Sequence, residues 1–249
     1  VKPIFQIGAH QWRWLDAAVV FACMFLNPFS TRRTRPGALR YRYAVDPSSN
    51  DAARRDAIGR CLRILETHRC GLVVGPHGTG KSTLLHDWAI DLQNAMPGGG
   101  WVQLTRDPRK NLFLRTHSQL HNQTEIRRLV RHMQPRGLLV VDGGEQLTTV
   151  DRARLRWAAR RYDFRCLMTS HRPLHGFHIV YQTAVDPSIV KWLLADLVGD
   201  DDAVARFVDG LARDIQWRQL TNVRDLWSQF YDQCSTANRK KGTSSWQSA

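Results

Sequence analysis

Cys70-Gly71-Leu72-Val73-Val74-Gly75-Pro76-His77-Gly78-Thr79-Gly80-Lys81-Ser82-Thr83 is the stretch from which the rest of the chain can be read. Cys70 to Val74 is a short apolar run, the pattern of a strand covered on both faces. It runs straight into GPHGTGKS, which has the GxxxxGK[ST] spacing of a phosphate-binding loop. Gly75, Gly78 and Gly80 permit close approaches that a Cβ would block, so successive N–H groups turn inward as an anion nest. Thr83, Leu84, Leu85, Trp88, Ala89 and Leu92 continue as an amphipathic helix, whose positive N-terminal end points at the same phosphates. Gly75, Pro76, His77, Gly78, Thr79, Gly80, Lys81, Ser82 and Thr83 are therefore the candidate nucleotide-binding residues. In this pattern Lys81 neutralises β/γ-oxygen charge and the Ser82 hydroxyl ligates Mg²⁺. The expected ligands are ATP, adenine being the default base, and Mg²⁺.

A loop of this kind needs a second anchor for the cation. Leu138-Leu139-Val140-Val141-Asp142 is an apolar run ending in a carboxylate, which puts Asp142 at the C-terminal edge of a strand, where open α/β sheets bind ligands. Asp142 is the candidate to hold Mg²⁺. Glu145, three residues on, is the nearest acid able to orient or deprotonate an attacking water, and is otherwise a solvated loop acid. A third apolar run, Cys166-Leu167-Met168, leads into Thr169-Ser170-His171-Arg172-Pro173. Thr169, Ser170 or Arg172 is the candidate to reach the γ-phosphate or the lytic water, and His171 is the weaker choice. Trp101 to Thr105 and His178 to Thr183 read as two further strands. Helices are expected over 51–68, 82–94, 123–133, 150–162 and 187–198, the first capped from Ser49, Asn50 or Asp51 with Ile58, Cys61, Leu62 and Leu65 on one face. Strands alternating with helices in this way predict an α/β fold, a three-layer parallel sheet.

Taken in order, these elements resemble the additional-strand (ASCE) division of P-loop NTPases, more narrowly the AAA+ and STAND ATPases, over about residues 50 to 235. GPHGTGKS matches the Walker A motif and LLVVDGGEQL the Walker B motif, while LMTSHRP is similar to the end of the strand beside Walker B. Many AAA+ proteins place Glu directly after the Walker B Asp, whereas Gly143 and Gly144 follow Asp142 here. The Asp-Gly-x-acid spacing is similar to the NACHT type of STAND protein. The resemblance implies a small C-terminal helical lid. Ile189, Val190, Trp192, Leu193, Leu194 and Leu197 fit one of its helices, and Val204, Phe207, Val208 and Leu211 the next. Thr221 to Leu226 opens a helix resembling the AAA+ sensor-2 helix, with Arg224 the candidate to reach the γ-phosphate; an ion pair with Asp225 or another acid is the other reading. Arg160 and Arg161 are candidates for an arginine finger acting in trans. Asn27-Pro28-Phe29 with Arg32 to Gly37 resembles linkers that wrap adenine in some AAA+ ATPases, with Tyr41 and Tyr43 available to pack the base.

The implied function is a Mg-ATP-binding and hydrolysing ATPase that couples nucleotide state to conformational change or assembly, as a homo-oligomer or with a partner protein. Its catalytic candidates are Lys81, Glu145, Arg172 and Arg224. The alternatives are an ATP-gated signalling switch with little hydrolysis, a DNA-associated ATPase, or a small-molecule phosphotransferase, which lacks an evident mobile Arg-rich lid. The organisation expected is a segment and linker over 1–50, the NTPase core over 51–185, a helical lid over 186–236 and a disordered tail over 237–249.

Composition bounds these readings. In 249 residues, 43% hydrophobic and 23% charged, with 17 Gly and 10 Pro, collagen-like and wholly disordered classes are excluded. Of 36 cations 30 are Arg, against 22 acids, for a net charge of +14. Local concentrations lie at Arg32 to Arg42, Arg127 to Arg136 and Arg152 to Arg165, which describe either a solvated basic surface or a nucleic-acid contact. The five cysteines, widely spaced and without a CxxC pair, predict a reduced, cytoplasmic compartment. Ala17 to Leu26 is an apolar run of 10 residues, too short to span a bilayer, so no stable membrane insertion is expected. Because the chain opens on Val and Met24 precedes the Asn27-Pro28 turn, the natural start is expected at Met24.

Overall fold

The alternation of side chains along each strand divides the apolar runs between two faces, and that division organises the sheet. The computed structural model describes residues 27–104, 112–199, 202–213 and 215–242. Met24, with the apolar run before the Asn27 turn, lies outside these residues. Five strands, β1 (Cys70–Val74), β2 (Gly100–Gln103), β3 (Leu138–Asp142), β4 (Arg165–Ser170) and β5 (His178–Gln182), form one sheet in the order β2-β3-β4-β1-β5. Every pairing is parallel. The strand inserted between β1 and β3 is therefore β4. Beyond the assigned strands the pairing continues through Thr183 N–H to Val74 O (2.8 Å) and Leu104 N–H to Asp142 O (2.8 Å). Thr105, expected as a strand end, lies outside the described residues.

Cys70, Leu72, Val74, Leu139, Val141, Cys166 and Met168 point to one face of the sheet, where they meet Ile126, Leu155, Ala159 and Phe164. Val73, Leu138, Val140, Leu167 and Val180 point to the other, against Ala57, Ile58, Cys61, Leu65, Leu84, Leu85, Trp88 and Leu92. The helices supplying these residues are α1 (Pro47–His68) and α2 (Lys81–Ala95) on the second face, and α3 (Leu112–His132) and α4 (Thr149–Arg161) on the first. Each fully buried aliphatic side chain stabilises by about 1.5–3 kcal/mol. The two apolar layers thus clamp the three central strands, β3, β4 and β1, which need no polar face.

Helix boundaries differ from expectation where a cap intervenes. Helix α1 begins at Pro47, because the Asp46 side chain accepts from Ser48 N–H at 3.2 Å and Pro fits the first helical position. Residues 49–51, expected as the cap, lie inside the helix. Helix α3 starts at Leu112, eleven residues before the expected 123. Helix α4 is capped by Thr148, which accepts from Asp151 N–H at 3.1 Å.

Residues 40–184 form one compact unit, and residues 27–39 with 185–242 belong to a second. In the second unit α5 (Pro187–Val198), α6 (Asp202–Arg213) and α7 (Val223–Gly242) enclose a separate core of Val190, Leu194, Leu197, Val208, Leu226, Trp227 and Phe230. Phe29 is buried in that core, stacked on Trp227 (5.8 Å between centroids) and edge-on to Phe230 (5.0 Å). Asn27 Nδ2 donates to Tyr231 O at 3.2 Å. The Asn27-Pro28-Phe29 box is thus built into the helical unit. Helix α7 continues through Gly242, so 237–242 of the stretch expected as a disordered tail are helical. Residues 243–249 fall outside the described part.

Candidate functional site

The end of β1 and the start of α2 shape residues 75–80 into a turn around its own lysine. Gly78 and Gly80 adopt φ of 72° and 88°, and Gly80 caps α2. Gly75 is enclosed: a Cβ there would run into the Thr183 side chain and, at 2.5 Å, its carbonyl oxygen. Thr79 Oγ1 donates to Pro76 O at 2.9 Å and shares a 2.6 Å hydrogen bond with Thr183 Oγ1, tying the loop to the end of β5. Lys81, 8% exposed, donates from Nζ to Gly75 O (2.6 Å) and Pro76 O (2.7 Å). Ser82 and Thr83 follow in the first turn of α2. The ring of Tyr41 lies 3.2 Å from the position of a Cβ on Gly80.

On β3 and β4 the parallel register sets the next contact. Val141 pairs with Met168 and Val73 with Thr169, so Asp142 and Thr169 come level at the C-terminal edge. Thr169 Oγ1 donates to Asp142 Oδ1 at 2.7 Å and accepts from Gly143 N–H at 2.8 Å. Both side chains are buried. Of the three candidates from the third apolar run, Thr169 orients Asp142, while Ser170 Oγ accepts from Arg172 N–H at 3.3 Å and the Arg172 side chain is exposed.

The chain then turns sharply. Gly143 has φ 94°, and a Cβ on Gly144 would overlap the Met168 side chain, so no larger residue fits directly after the turn. A short 3₁₀ turn, Gly144–Gln146, carries Glu145 over the edge of β4. There Glu145 Oε1 meets His171 Nε2 at 3.0 Å, and His171 Nδ1 meets Lys81 Nζ at 3.1 Å. With the carboxylate on one side and an ammonium on the other, the network fixes the tautomer: Nε2–H donates to Glu145 and Nδ1 accepts from Lys81. Burial, reinforced by Lys81 and His77, pulls His171 below the ordinary imidazole value against the opposing pull of Glu145. The His77 ring lies against the same ring, tilted by 35°, with centroids 3.4 Å apart. Glu145 Oε2 is buried and has no hydrogen-bond partner among the described residues. His171, the residue given least weight in the sequence, is thus the one that joins the two loops. No local pattern marks it.

The remaining candidates are placed elsewhere. Tyr43 is committed to structure, its hydroxyl donating to Asp87 Oδ2 (2.7 Å) and accepting from Trp88 Nε1 (2.7 Å), while Arg54 braces Asp87 at 2.9 Å. Burial and the Asp87 carboxylate push its phenol well above the usual range. Arg160 lies near Cys70, the first residue of β1, and Arg161 packs over Tyr162 at 5.7 Å. Both are therefore at the end of the sheet opposite residues 75–80 of their own chain. Arg224 is exposed in the first turn of α7, its N–H donating to Asn222 Oδ1 at 3.0 Å. Cys61, Cys70 and Cys166 are buried free thiols, and burial pushes Cys70 up to about 11. Among the described residues no helix is long and apolar enough to cross a membrane.

No protein-family model and no curated protein matches the sequence. Among solved structures the chain is similar to a DNA replication initiation factor, at 13% identity and a TM-score of 0.47 over 90% of this chain and 69% of that one. It is also similar to PCH-2 of C. elegans (16%, TM-score 0.37, 63% and 49%) and to a Walker-type ATPase of Pyrococcus abyssi (11%, TM-score 0.33, 73% and 66%). The chain spans about half the length of the PCH-2 chain. With GPHGTGKS joining β1 to α2, Asp142 closing β3, and β4 inserted between those strands, the protein has the fold of an additional-strand P-loop NTPase.

Proposed function

We propose that this protein binds Mg-ATP and hydrolyses it, coupling nucleotide state to conformational change or assembly. The observation that carries the reading is the continuous link Glu145–His171–Lys81, which puts an acid with one unsatisfied buried oxygen beside the lysine of the phosphate loop. A buried carboxylate oxygen without a partner is costly, by about 1–3 kcal/mol, and a water poised at that oxygen would relieve it.

In this reading the amides of residues 75–83 hold the phosphates and Lys81 turns from the loop carbonyls to neutralise them. The Ser82 hydroxyl and the Asp142 carboxylate, both hard oxygen donors, are suited to Mg²⁺. When bound, the cation offsets charge on the phosphate oxygens. Thr169 holds Asp142 in place, and Glu145 orients or deprotonates the attacking water with its direction set by His171. Arg172, Arg224 or an arginine from a neighbouring subunit supplies further positive charge. The ATP-gated switch is favoured by one feature, since Glu145 Oε1 is already engaged by His171 and is restrained unless that contact opens.

Phosphate release and equilibrium ATP binding, measured together over a range of protein concentrations, test both readings. The expected result is turnover in the native protein, none in Lys81→Ala, and ATP binding without turnover in Glu145→Gln. Glu145→Gln turning over at the native rate would refute the role of the acid. Tight binding without turnover in the native protein at every concentration would leave the switch.

A further inference from the structure

We infer that the outer face of helices α3 and α4 is a docking surface for single-stranded DNA. The two helices lie side by side on one face of the sheet, joined by Gln123 Nε2, which donates to both carboxylate oxygens of Asp151 at 3.1 Å. Between them runs a groove of about 470 Å³ with an apolar floor that includes Ile126, Val130, Leu155 and Ala158. Arg127, Arg131 and Arg154 rim it and Tyr162 stands at its end.

Charge selects the class of ligand. Residues 120–136 and 149–162 carry nine arginines against Glu125 and Asp151, a local excess of +7 that is half of the net +14 of the whole chain. Arg127, Arg128, Arg131, Arg154, Arg160 and Arg161 are exposed. Asp151 is occupied by Gln123 and Thr148, and its contact with Arg154, at 3.9 Å, is at the limit of an ion pair. Such a surface repels its own like charges until a polyanion is supplied.

Two aromatic side chains narrow the choice further. Trp157 is 62% exposed and Tyr162 52% exposed, large values for residues that normally bury their rings. They stand edge to face with centroids 6.3 Å apart, beside Arg161. Tyr162 lines the groove and Trp157 stands beside it, outside the lining; aromatic faces next to arginines at the edge of a groove are what unpaired bases stack on, whereas a duplex hides its base faces. A groove between two helices also offers no projecting element to enter a major groove. Among the uncharged groups lining the groove, the Gln123 amide nitrogen is engaged by Asp151 and does not reach a 2′-hydroxyl, so the surface suits DNA over RNA. The site lies outside the phosphate loop, and its existence does not depend on turnover.

Fluorescence anisotropy of a labelled oligothymidylate of about 20 nucleotides, titrated with the full chain between about 50 and 200 mM salt, tests the inference. The expected result is binding that is tighter than to a duplex of the same length and no weaker than to oligouridylate. Trp157→Ala should weaken it about 5- to 100-fold. Replacing Arg127 and Arg154 together by Ala should lower the salt slope by about 1.4, while Arg60→Ala, on the opposite face of the sheet, should leave it unchanged. All four residues are exposed, so the variants fold. The inference is overturned if Trp157→Ala and the double arginine variant bind as the native protein does, if Arg60→Ala loses as much, or if the duplex binds more tightly. Displacement of the oligonucleotide by polyglutamate at equal charge would also overturn it, in favour of an acidic protein partner.

Discussion

Replacing His171 by Ala severs the link between the phosphate loop and Glu145 without touching either. In the native protein the imidazole makes two contacts, 3.0 Å to Glu145 Oε1 and 3.1 Å to Lys81 Nζ. Hydrogen bonds to charged groups contribute about 1.5–3 kcal/mol each. The Glu145 side chain is 26% exposed and that of His171 23%, so water recovers part of the loss. A net cost of roughly 1–2 kcal/mol in positioning Glu145 remains once this screening is allowed for. At 1.36 kcal/mol per factor of ten, kcat falls about 5- to 30-fold. KM for ATP changes little, because the residue 75–83 amides and Lys81, to which phosphate binding is assigned, are all left in place. The pH profile separates positioning from general damage. His171 sits below its usual value of 6.5 and is neutral at pH 7, and protonation would aim an N–H at the Lys81 ammonium. Native kcat should therefore decline only on the acid side of that value, by a limb that His171→Ala lacks. His171→Asn, able to keep one of the two contacts, should fall between them. Steady-state phosphate release with equilibrium nucleotide binding is the assay. A His171→Ala enzyme within twofold of native kcat, with the acid limb intact, would refute the reasoning.

Thr169→Val deletes the hydroxyl that donates to Asp142 and accepts from Gly143 N–H, leaving a buried N–H and a buried carboxylate oxygen unpaired. It should lower stability by about 1–3 kcal/mol in urea unfolding and raise the Mg²⁺ concentration needed for half-maximal turnover. Gly75→Ala forces a methyl against the Thr183 carbonyl and should destabilise by about 1–3 kcal/mol while abolishing ATP binding. Binding at native affinity would show that the loop can shift there. Stability should also fall with acid. His178, though exposed, is held below 6.5 by partial loss of solvent at its ring and by His68, stacked at 3.7 Å. A group whose folded pKa is lowered contributes stability above its unfolded value and loses it as pH falls from there. Thermal unfolding should thus shift down below pH 6.5, less steeply in His68→Ala than in the native protein.

Much of the core could be read along the chain because its signals are local. GPHGTGKS needs only its own spacing, and Leu138 to Asp142 announces a covered strand with a carboxylate at the edge whatever surrounds it. Even a missed boundary had its mark in the chain, since Asp46-Pro47 is a capping pair one turn before the expected start of α1. Other features depend on which strands become neighbours. Thr169 and Asp142 are 27 residues apart, and Lys81 and His171 are 90 apart. They meet because β4 is inserted between β1 and β3 in register, an arrangement set by packing two helical layers on one sheet. The Gly143-Gly144 pair looked like a departure from the usual acid after Walker B. At residue 143, where that acid usually stands, the backbone has φ 94° and a Cβ would lie 2.9 Å from Leu104 O, while at residue 144 Met168 occupies the space that a side chain would need. Asn27-Pro28-Phe29 likewise joins α7, about 200 residues away, since Phe29 finds its apolar surroundings only in that core. Spacing and periodicity encode what a residue does with its near neighbours; contacts across the sheet arise from burial and register summed over the whole unit, and become visible only once the strands are in order.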